Sequence, residues 1–246
     1  MNKITSILTL LLLPFAVAAQ YPEGKELLSK IDKNMSSDSR VFTSTMIIHG
    51  RRGSRTIESK SWSEGNDKSF TEYLNPAREK GTKMLKLSDQ LWIYSPSTDR
   101  TIQISGHMLR QSVMGSDLSY EDMMEDPDLS HHYNAKVTSE ETCDNRPCWV
   151  LQLDAFDPAM AYPLRKVWVD KQHFIPLKEE MYARGGKLLK RTVLSDVVNL
   201  QGRWFPRKIV FKDVLKEGDG TEFIMQEIKF NEKIPEYILS KAGLKK

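Results

Sequence analysis

Long stretches of this chain alternate apolar and polar residues with a period of two, and this pattern limits the fold more than any other feature. Ile102 and Ile104, for example, alternate with Thr101, Gln103 and Ser105. The same pattern recurs at residues 42–49, 149–154, 208–212 and 224–230. Such alternation is typical of strands with one buried face. Turn residues separate the runs at short intervals, so the residues predict about eleven strands in an antiparallel meander, as a sandwich or a barrel.

A segment near the N-terminus has helical periodicity instead. Leu27, Leu28, Ile31 and Met35 recur at the spacing of one helix face, which predicts a helix over residues 22–35.

A second exception interrupts the strands near the middle of the chain, where residues 106–125 read GHMLRQSVMGSDLSYEDMME. Ser119 and Asp122 predict a helix start at about Tyr120, and a further helix is expected over residues 107–114. The segment is rich in methionine, which adapts to variable apolar shapes. Its methionines therefore suit a lid over an apolar pocket, and they suit equally well core contacts that tie a helix to the sheet.

The first residues resemble a cleavable export signal. Lys3 precedes an uncharged run over residues 4–17, and small residues follow up to Ala19. The run is shorter than the roughly 20 residues of a membrane span, although a retained anchor is the alternative. No cysteine lies near the cleavage site for lipid attachment. We therefore expect a signal peptide over residues 1–19 and one unanchored domain over residues 20–246, located in the periplasm.

The two cysteines, Cys143 and Cys148, lie close together between two predicted strands. In an oxidising compartment this arrangement predicts a disulfide across a hairpin. A loop this small would contribute roughly 2 kcal/mol to stability. A redox role is the alternative, but the spacing differs from the C-x-x-C of thiol oxidoreductases.

Several function classes find no support in the sequence. The chain has 36 basic and 33 acidic side chains, a near balance that does not favour nucleic-acid binding. Its five histidines show no metal-ligand spacing, and neither a nucleophile motif nor a glycine-rich phosphate loop occurs. We therefore predict no catalytic residue, no cofactor and no metal, and a protein that is not an enzyme.

Several short segments occur in an order that resembles a known family. These segments are Lys60-Ser-Trp62, Tyr73-Leu-Asn-Pro-Ala77, Leu91-Trp-Ile-Tyr-Ser-Pro96, Met114-Gly-Ser-Asp117 and Lys166-Val-Trp-Val-Asp170. Their order and spacing are similar to those of the periplasmic outer-membrane lipoprotein-sorting proteins of the LolA/LolB-like superfamily. The resemblance implies a half-open β-barrel with an N-terminal helix and a central helical lid over an apolar cavity for acyl chains. Some members of the superfamily serve inner-membrane exporters of lipidic cargo.

The resemblance leads to a specific functional expectation. We expect a monomeric carrier or chaperone for lipoprotein acyl chains or lipid, which works with an inner-membrane exporter and an outer-membrane acceptor. The candidate ligand-binding residues of the lid and pocket are Trp92, Met108, Leu109, Met114, Met123 and Met124. The alternative is a lipid-sensing or adaptor module that docks on a membrane partner. Cavity volume distinguishes the two, because a filled interior favours the adaptor.

Overall fold

The computed structural model describes residues 21–51 and 53–245. The signal peptide predicted for residues 1–19 therefore lies outside the described residues. One antiparallel sheet of thirteen strands dominates the described chain. The strands are β1 (Ser39–Gly50), β2 (Gly53–Glu64), β3 (Lys68–Asn75), β4 (Lys83–Leu87), β5 (Gln90–Ser95), β6 (Arg100–Ile104), β7 (Tyr133–Cys143), β8 (Arg146–Ala155), β9 (Leu164–Asp170), β10 (Pro176–Tyr182), β11 (Leu188–Leu200), β12 (Arg203–Asp213) and β13 (Gly220–Phe230).

The sheet does not close on itself, which confirms the predicted half-open architecture. Its strand order is β6-β5-β4-β3-β2-β1-β13-β12-β11-β10-β9-β8-β7, so β6 and β7 are its two edges. The prediction of about eleven strands was two short. In β2 the alternation is hidden because the buried positions after Ile57 are serines, as at Ser59 and Ser61. In β10 acidic residues interrupt it, as at Glu180.

Helix α1 (Gly24–Met35) begins two residues later than predicted and packs on one face of the sheet, which we call the inner face. Leu27, Leu28 and Ile31 are buried against β7, β8 and β9. The helix begins so close to β7 that a Cβ on Gly24 would lie 2.2 Å from the carbonyl oxygen of Ala135. Glycine is therefore required at the point where helix and strand meet.

The segment between the two edge strands covers another part of the inner face. We call residues 105–132 the insert. It contains helix α2 (Tyr120–Met124) and three short 3-10 helices at Gly106–Arg110, Val113–Gly115 and Leu129–His131. A capping box at Ser119 and Asp122 starts α2, as the sequence predicted. The continuous helix expected over residues 107–114 was wrong, because Gln111 and Ser112 adopt extended backbone, with ψ of 150° and 134°, and interrupt it.

Pairing across the strands shows that α1 and the insert share the inner face. Residues directly opposite each other in neighbouring strands point to the same side of a sheet. One such row runs across eight strands through Val137, Leu151, Val167, Glu179, Thr192, Phe211, Thr221 and Ile48. Its first members contact α1, and Thr221 contacts the insert. The two helical elements therefore lie side by side over one surface.

The C-terminal segment covers part of the opposite side of the sheet, which we call the outer face. Ile234, Leu239 and Leu244 pack there against Phe70, Leu85 and Trp92.

The two cysteines lie on the hairpin between β7 and β8, and both are free. Cys143 pairs with Arg146 and Cys148 pairs with Glu141, so the cysteines are diagonal neighbours. Diagonal positions lie roughly 7–8 Å apart, which exceeds the separation that a disulfide spans without backbone movement. The predicted bridge is not formed in this geometry, although both side chains join the same apolar cluster. The pairing stays a prediction.

Candidate ligand cavity

A first cavity of about 180 Å³ lies between the inner face and the insert. We call it the serine-lined cavity, because Ser59, Ser61, Ser63 and Ser69 form part of its wall. Its apolar wall consists of Phe42, Met46, Ile57, Trp62, Tyr73 and Phe223 from the sheet and Val113, Leu118 and Met123 from the insert. Small residues at inner-face positions leave this volume open, since larger apolar side chains there would fill it.

Hydrogen bonds within the wall occupy several of these hydroxyl groups. Ser44 and Ser59 lie 2.8 Å apart between their Oγ atoms, and Ser61 lies 2.9 Å from the Oγ1 of Thr71. A paired hydroxyl costs far less to bury beside an apolar ligand than an unpaired one. The wall can therefore accept an apolar chain.

A second cavity of about 390 Å³ lies beside the first. We call it the charged cavity. Its apolar wall contains Met181, Leu194, Ile209, Phe211 and Phe223, and its polar wall contains Asp117, Asp122, Glu125, Arg165, Glu179, Lys190, Arg191 and Lys212. Leu118, Met123 and Phe223 line both cavities. The two are therefore neighbouring parts of one interior, in the size range of small-molecule sites.

Charged groups hold α2 over the charged cavity. The Asp122 carboxylate accepts hydrogen bonds from Lys190 Nζ and from the Tyr162 hydroxyl, the latter at 2.6 Å. Burial would raise the pKa of Asp122, but the Lys190 charge and these hydrogen bonds outweigh it and hold the pKa below its usual value. Asp122 therefore remains ionised at neutral pH and stays paired with Lys190.

A buried arginine makes a second connection between sheet and insert. The Arg165 side chain is only 2% exposed and binds Glu125 of the insert and Glu179 of β10, the latter at 2.7 Å. Its Nε also donates to the Tyr133 hydroxyl at 2.8 Å. An arginine this deeply buried requires such partners, because an unpaired charge would be costly.

Three further hydrogen bonds fix the loop before α2. The Thr221 hydroxyl donates to Asp117 at 2.8 Å, and the other Asp117 oxygen accepts from the backbone N–H of Asp213 at 3.0 Å. Arg55 donates to the carbonyl oxygen of Met114. Polar contacts around the cavities therefore help to attach the insert to the sheet.

The structure places the six predicted pocket residues in four environments. Met123 lines both cavities. Met108, Leu109 and Met124 pack on Met84, Leu91 and Ile104 beside the cavities, and Met114 packs on a cluster formed by Met46, Ile48, Ile57 and Tyr73. Trp92 points to the outer face, where it is covered by the C-terminal segment. Most of the methionines of the insert therefore have the geometry of core contacts, which is one of the two interpretations that the sequence allowed.

The sequence did not predict that charged residues surround the cavity. Arg165 and Glu125 are 40 positions apart, and Lys190 and Asp122 are 68 apart. No local motif links such residues. One usable signal was a charged residue at a strand position that the alternation marks as buried. Arg165 is such a residue, because it lies two positions before Val167 and on the same face.

Among the described residues, no group of three or more His, Cys, Asp or Glu side chains is placed to hold a metal ion. Within the same residues, no helix has the length and apolar character needed to cross a membrane.

Comparison with known proteins identifies the family. A family model described as that of an uncharacterized protein matches residues 65–246. The chain belongs to this family. No curated protein sequence matches it.

Several solved structures have the same fold as this chain. A domain from Vibrio parahaemolyticus, described as a candidate outer membrane lipoprotein-sorting protein, is 25% identical, with a TM-score of 0.79 over 91% of this chain and 98% of that one. A LolA superfamily protein from Nitrosomonas europaea is 24% identical, with a TM-score of 0.73 over 90% and 99%. A DUF1329 family protein from Desulfovibrio piger is 24% identical, with a TM-score of 0.82 over 90% and 97%. The predicted resemblance to the LolA/LolB-like superfamily is confirmed, and the fold is LolA-like.

Proposed function

We propose that this protein is a non-enzymatic periplasmic carrier that holds an acyl chain of a lipoprotein or lipid between the sheet and the insert. The observation that carries the proposal is the interior formed by the serine-lined and charged cavities, both bounded by Met123. A filled interior would favour an adaptor, whereas an open one fits a carrier. The Vibrio domain, described as a candidate for lipoprotein sorting, supports the same choice.

A carrier is needed because exposure of an acyl chain to water costs a large free energy. Moving a sixteen-carbon acyl chain into water costs on the order of 12 kcal/mol, at about 0.8 kcal/mol per methylene. A chain can cross an aqueous space only when something shields it. Apolar walls from Phe42, Ile57 and Phe223 would provide that shield.

We also propose an export route and two partners for this protein. The mature protein begins after a signal peptide over residues 1–19, acts as a monomeric single domain over residues 20–246 and is not lipid-anchored. It receives its cargo from an inner-membrane exporter and delivers it to an outer-membrane acceptor. An interior that opens beneath a cover held by polar contacts suits repeated loading and release.

Binding of a fluorescent acyl probe tests the proposal through Met123→Glu. A carboxylate at this position would lie between the two cavities, so we expect the variant to lose probe binding while its unfolding temperature changes little. Met123→Leu should bind as the wild type does, because it keeps an apolar wall. Leu215→Glu, at an exposed residue that lines neither cavity, serves as the charge control. Equal probe affinity in Met123→Glu and wild type would contradict the proposal.

A further inference from the structure

A third pocket adjoins the two cavities and has a different chemistry. We call it the basic pocket. It has a volume of about 290 Å³, and its polar lining includes Arg40, Ser63, Lys68, Ser69 and Lys86. It shares Ser63, Ser69 and Met123 with the serine-lined cavity. An apolar space therefore continues directly into a space lined by cations and hydroxyl groups.

Strand pairing places two of these cations, Arg40 and Lys86, in one row. Arg40 pairs with Ser63, Ser63 with Ser69, and Ser69 with Lys86. The row lies on the inner face and crosses four strands, β1 to β4. Neighbouring strands are about 4.8 Å apart, so the backbones of Arg40 and Lys86 are separated by roughly 14 Å. Two long side chains can approach each other over that span, and the serines between them leave room for a ligand.

Arg40 has an unmet bonding requirement. The residue as a whole is half-buried, but its Nε is buried and has no hydrogen-bond partner among the described residues. Its Nη2 donates to the carbonyl oxygen of Met35 at 2.7 Å, and its guanidinium lies 5.0 Å from the ring centroid of Phe205. Burial and the nearby Arg203 charge lower the pKa of Arg40 to about 10. Within the described chain no carboxylate forms an ion pair with it, which is unusual for a buried cation.

Lys86 has no close counterion either. The residue is 8% exposed, and among the described residues it forms no ion pair or hydrogen bond. Burial lowers its pKa, and the carboxylates of Asp126 and Asp67 offset this only in part. Asp126 itself accepts hydrogen bonds from Asn66 and His132.

The other charges of the basic pocket are already neutralised. Lys68 pairs with Glu64 at 2.7 Å, and the acidic residue of the lining, Glu125, is bound by Arg165. Arg40 and Lys86 therefore remain as two cations without close counterions beside an apolar cavity. This combination suits a ligand that carries an anion at one end of an apolar chain.

We propose that the basic pocket binds the anionic headgroup, most suitably a phosphate, of an amphiphile whose acyl chain enters the serine-lined cavity and continues into the charged cavity. The inference rests on the proposed carrier function and specifies its cargo. A phosphate offers several acceptor oxygens, which match the guanidinium, the ammonium group and the two serine hydroxyls. A bound anion would satisfy Arg40 Nε and neutralise Lys86.

Calorimetric titration of the mature chain with three probes tests this inference. The probes are dodecyl phosphate, 1-dodecanol and inorganic phosphate, each below any micelle concentration. We expect dodecyl phosphate to bind at least roughly tenfold more tightly than dodecanol, as charge-assisted hydrogen bonds to a buried anion would give. Inorganic phosphate should bind far more weakly than dodecyl phosphate, because it lacks the chain.

Lys86→Met provides the decisive variant, since it removes the charge and keeps an apolar stem. Its affinity for dodecyl phosphate should fall to about that for dodecanol, and its dodecanol affinity should not change. Lys83→Met is the matched control, because Lys83 lies on the same strand with similar burial but lines a pocket on the outer face. Arg40→Gln should act as Lys86→Met does, and thermal unfolding checks that each variant is folded.

The outcomes separate this inference from the carrier proposal. Equal affinity of the wild type for dodecyl phosphate and dodecanol, or an unchanged preference in folded Lys86→Met and Arg40→Gln, would overturn the headgroup site and leave the carrier intact. Binding of inorganic phosphate as tight as that of dodecyl phosphate would make the pocket a free-anion site and overturn the amphiphile. Failure of both dodecyl probes to bind would overturn both proposals.

Discussion

The two helical elements on the inner face cover it in opposite ways. Helix α1 buries Leu27, Leu28 and Ile31 against six buried apolar residues on β7, β8 and β9. Helix α2 has no buried residue, and its firmest contacts are the charged ones from Asp122 and nearby Glu125. Burial of apolar surface is non-directional and favours close packing, whereas charge-assisted hydrogen bonds join particular atoms and do not require the space around them to be filled. One part of the inner face is therefore built for stability and the other for access.

The largest expected effect is on the free energy of unfolding, and it tests the contrast between α1 and α2. Leu28→Ala removes a side chain that is 1% exposed, and we expect a loss of roughly 3–4 kcal/mol in the free energy of unfolding. Met124→Ala, at a half-buried position in α2, should cost only about 1 kcal/mol because the insert can settle around it. Urea unfolding measures both values. Equal losses would remove the distinction between a structural helix and a cover.

A smaller effect concerns the charged attachment of α2. Asp122→Asn keeps the shape of the side chain and removes its charge, so the pair with Lys190 is lost. We expect the insert to open more readily by about 1.5 kcal/mol, with little change in global stability. Hydrogen exchange of the α2 amides should be accelerated by about tenfold. Asp196→Asn, in an exposed pair with Arg207, is the control and should change nothing there.

The same pair predicts a pH dependence. Because the pKa of Asp122 is lower in the folded protein than its ordinary value of 3.8, the pair stabilises the closed insert above about pH 4. That contribution is lost as the pH falls through the lowered pKa. Hydrogen exchange of α2 in the wild type should therefore approach that of Asp122→Asn in strong acid. A constant difference between the two proteins across this range would contradict the assignment.

The smallest expected effect concerns Trp92. It lies on the outer face with Lys241 Nζ 4.0 Å from its ring centroid, and it is separated from the cavities by the sheet. Trp92→Phe should leave the Kd of the acyl probe unchanged and lower stability by about 1 kcal/mol through the smaller ring. Fluorescence titration and thermal unfolding measure the two values. A loss of probe affinity without unfolding would bring Trp92 back into the site.

The contrast also explains which features were predictable from sequence. Leu27, Leu28 and Ile31 face a dry core, so their spacing reports the helix directly. The start of α2 was predictable because the capping box of Ser119 and Asp122 is local. These features depend on neighbours within a few positions of the chain.

The cavity was not predictable in the same way. β5 is apolar on both faces, with Leu91 inward and Trp92 outward, so its sequence cannot say which residue meets a ligand. The serines of β2 and the buried Arg165 contradict the pattern of a strand because they surround open space and not a packed core. Their partners come from distant parts of the chain, and only the fold brings them together.

The central claim is that the interior beneath the insert holds an acyl chain, and native mass spectrometry of the protein purified without detergent from its own cell envelope tests it most directly. We predict a species that is heavier than the mature chain by the mass of one acyl-bearing molecule. This species should be absent from Met123→Glu prepared in the same way. Repeated observation of the bare mature chain alone, in wild type and variant, would contradict it.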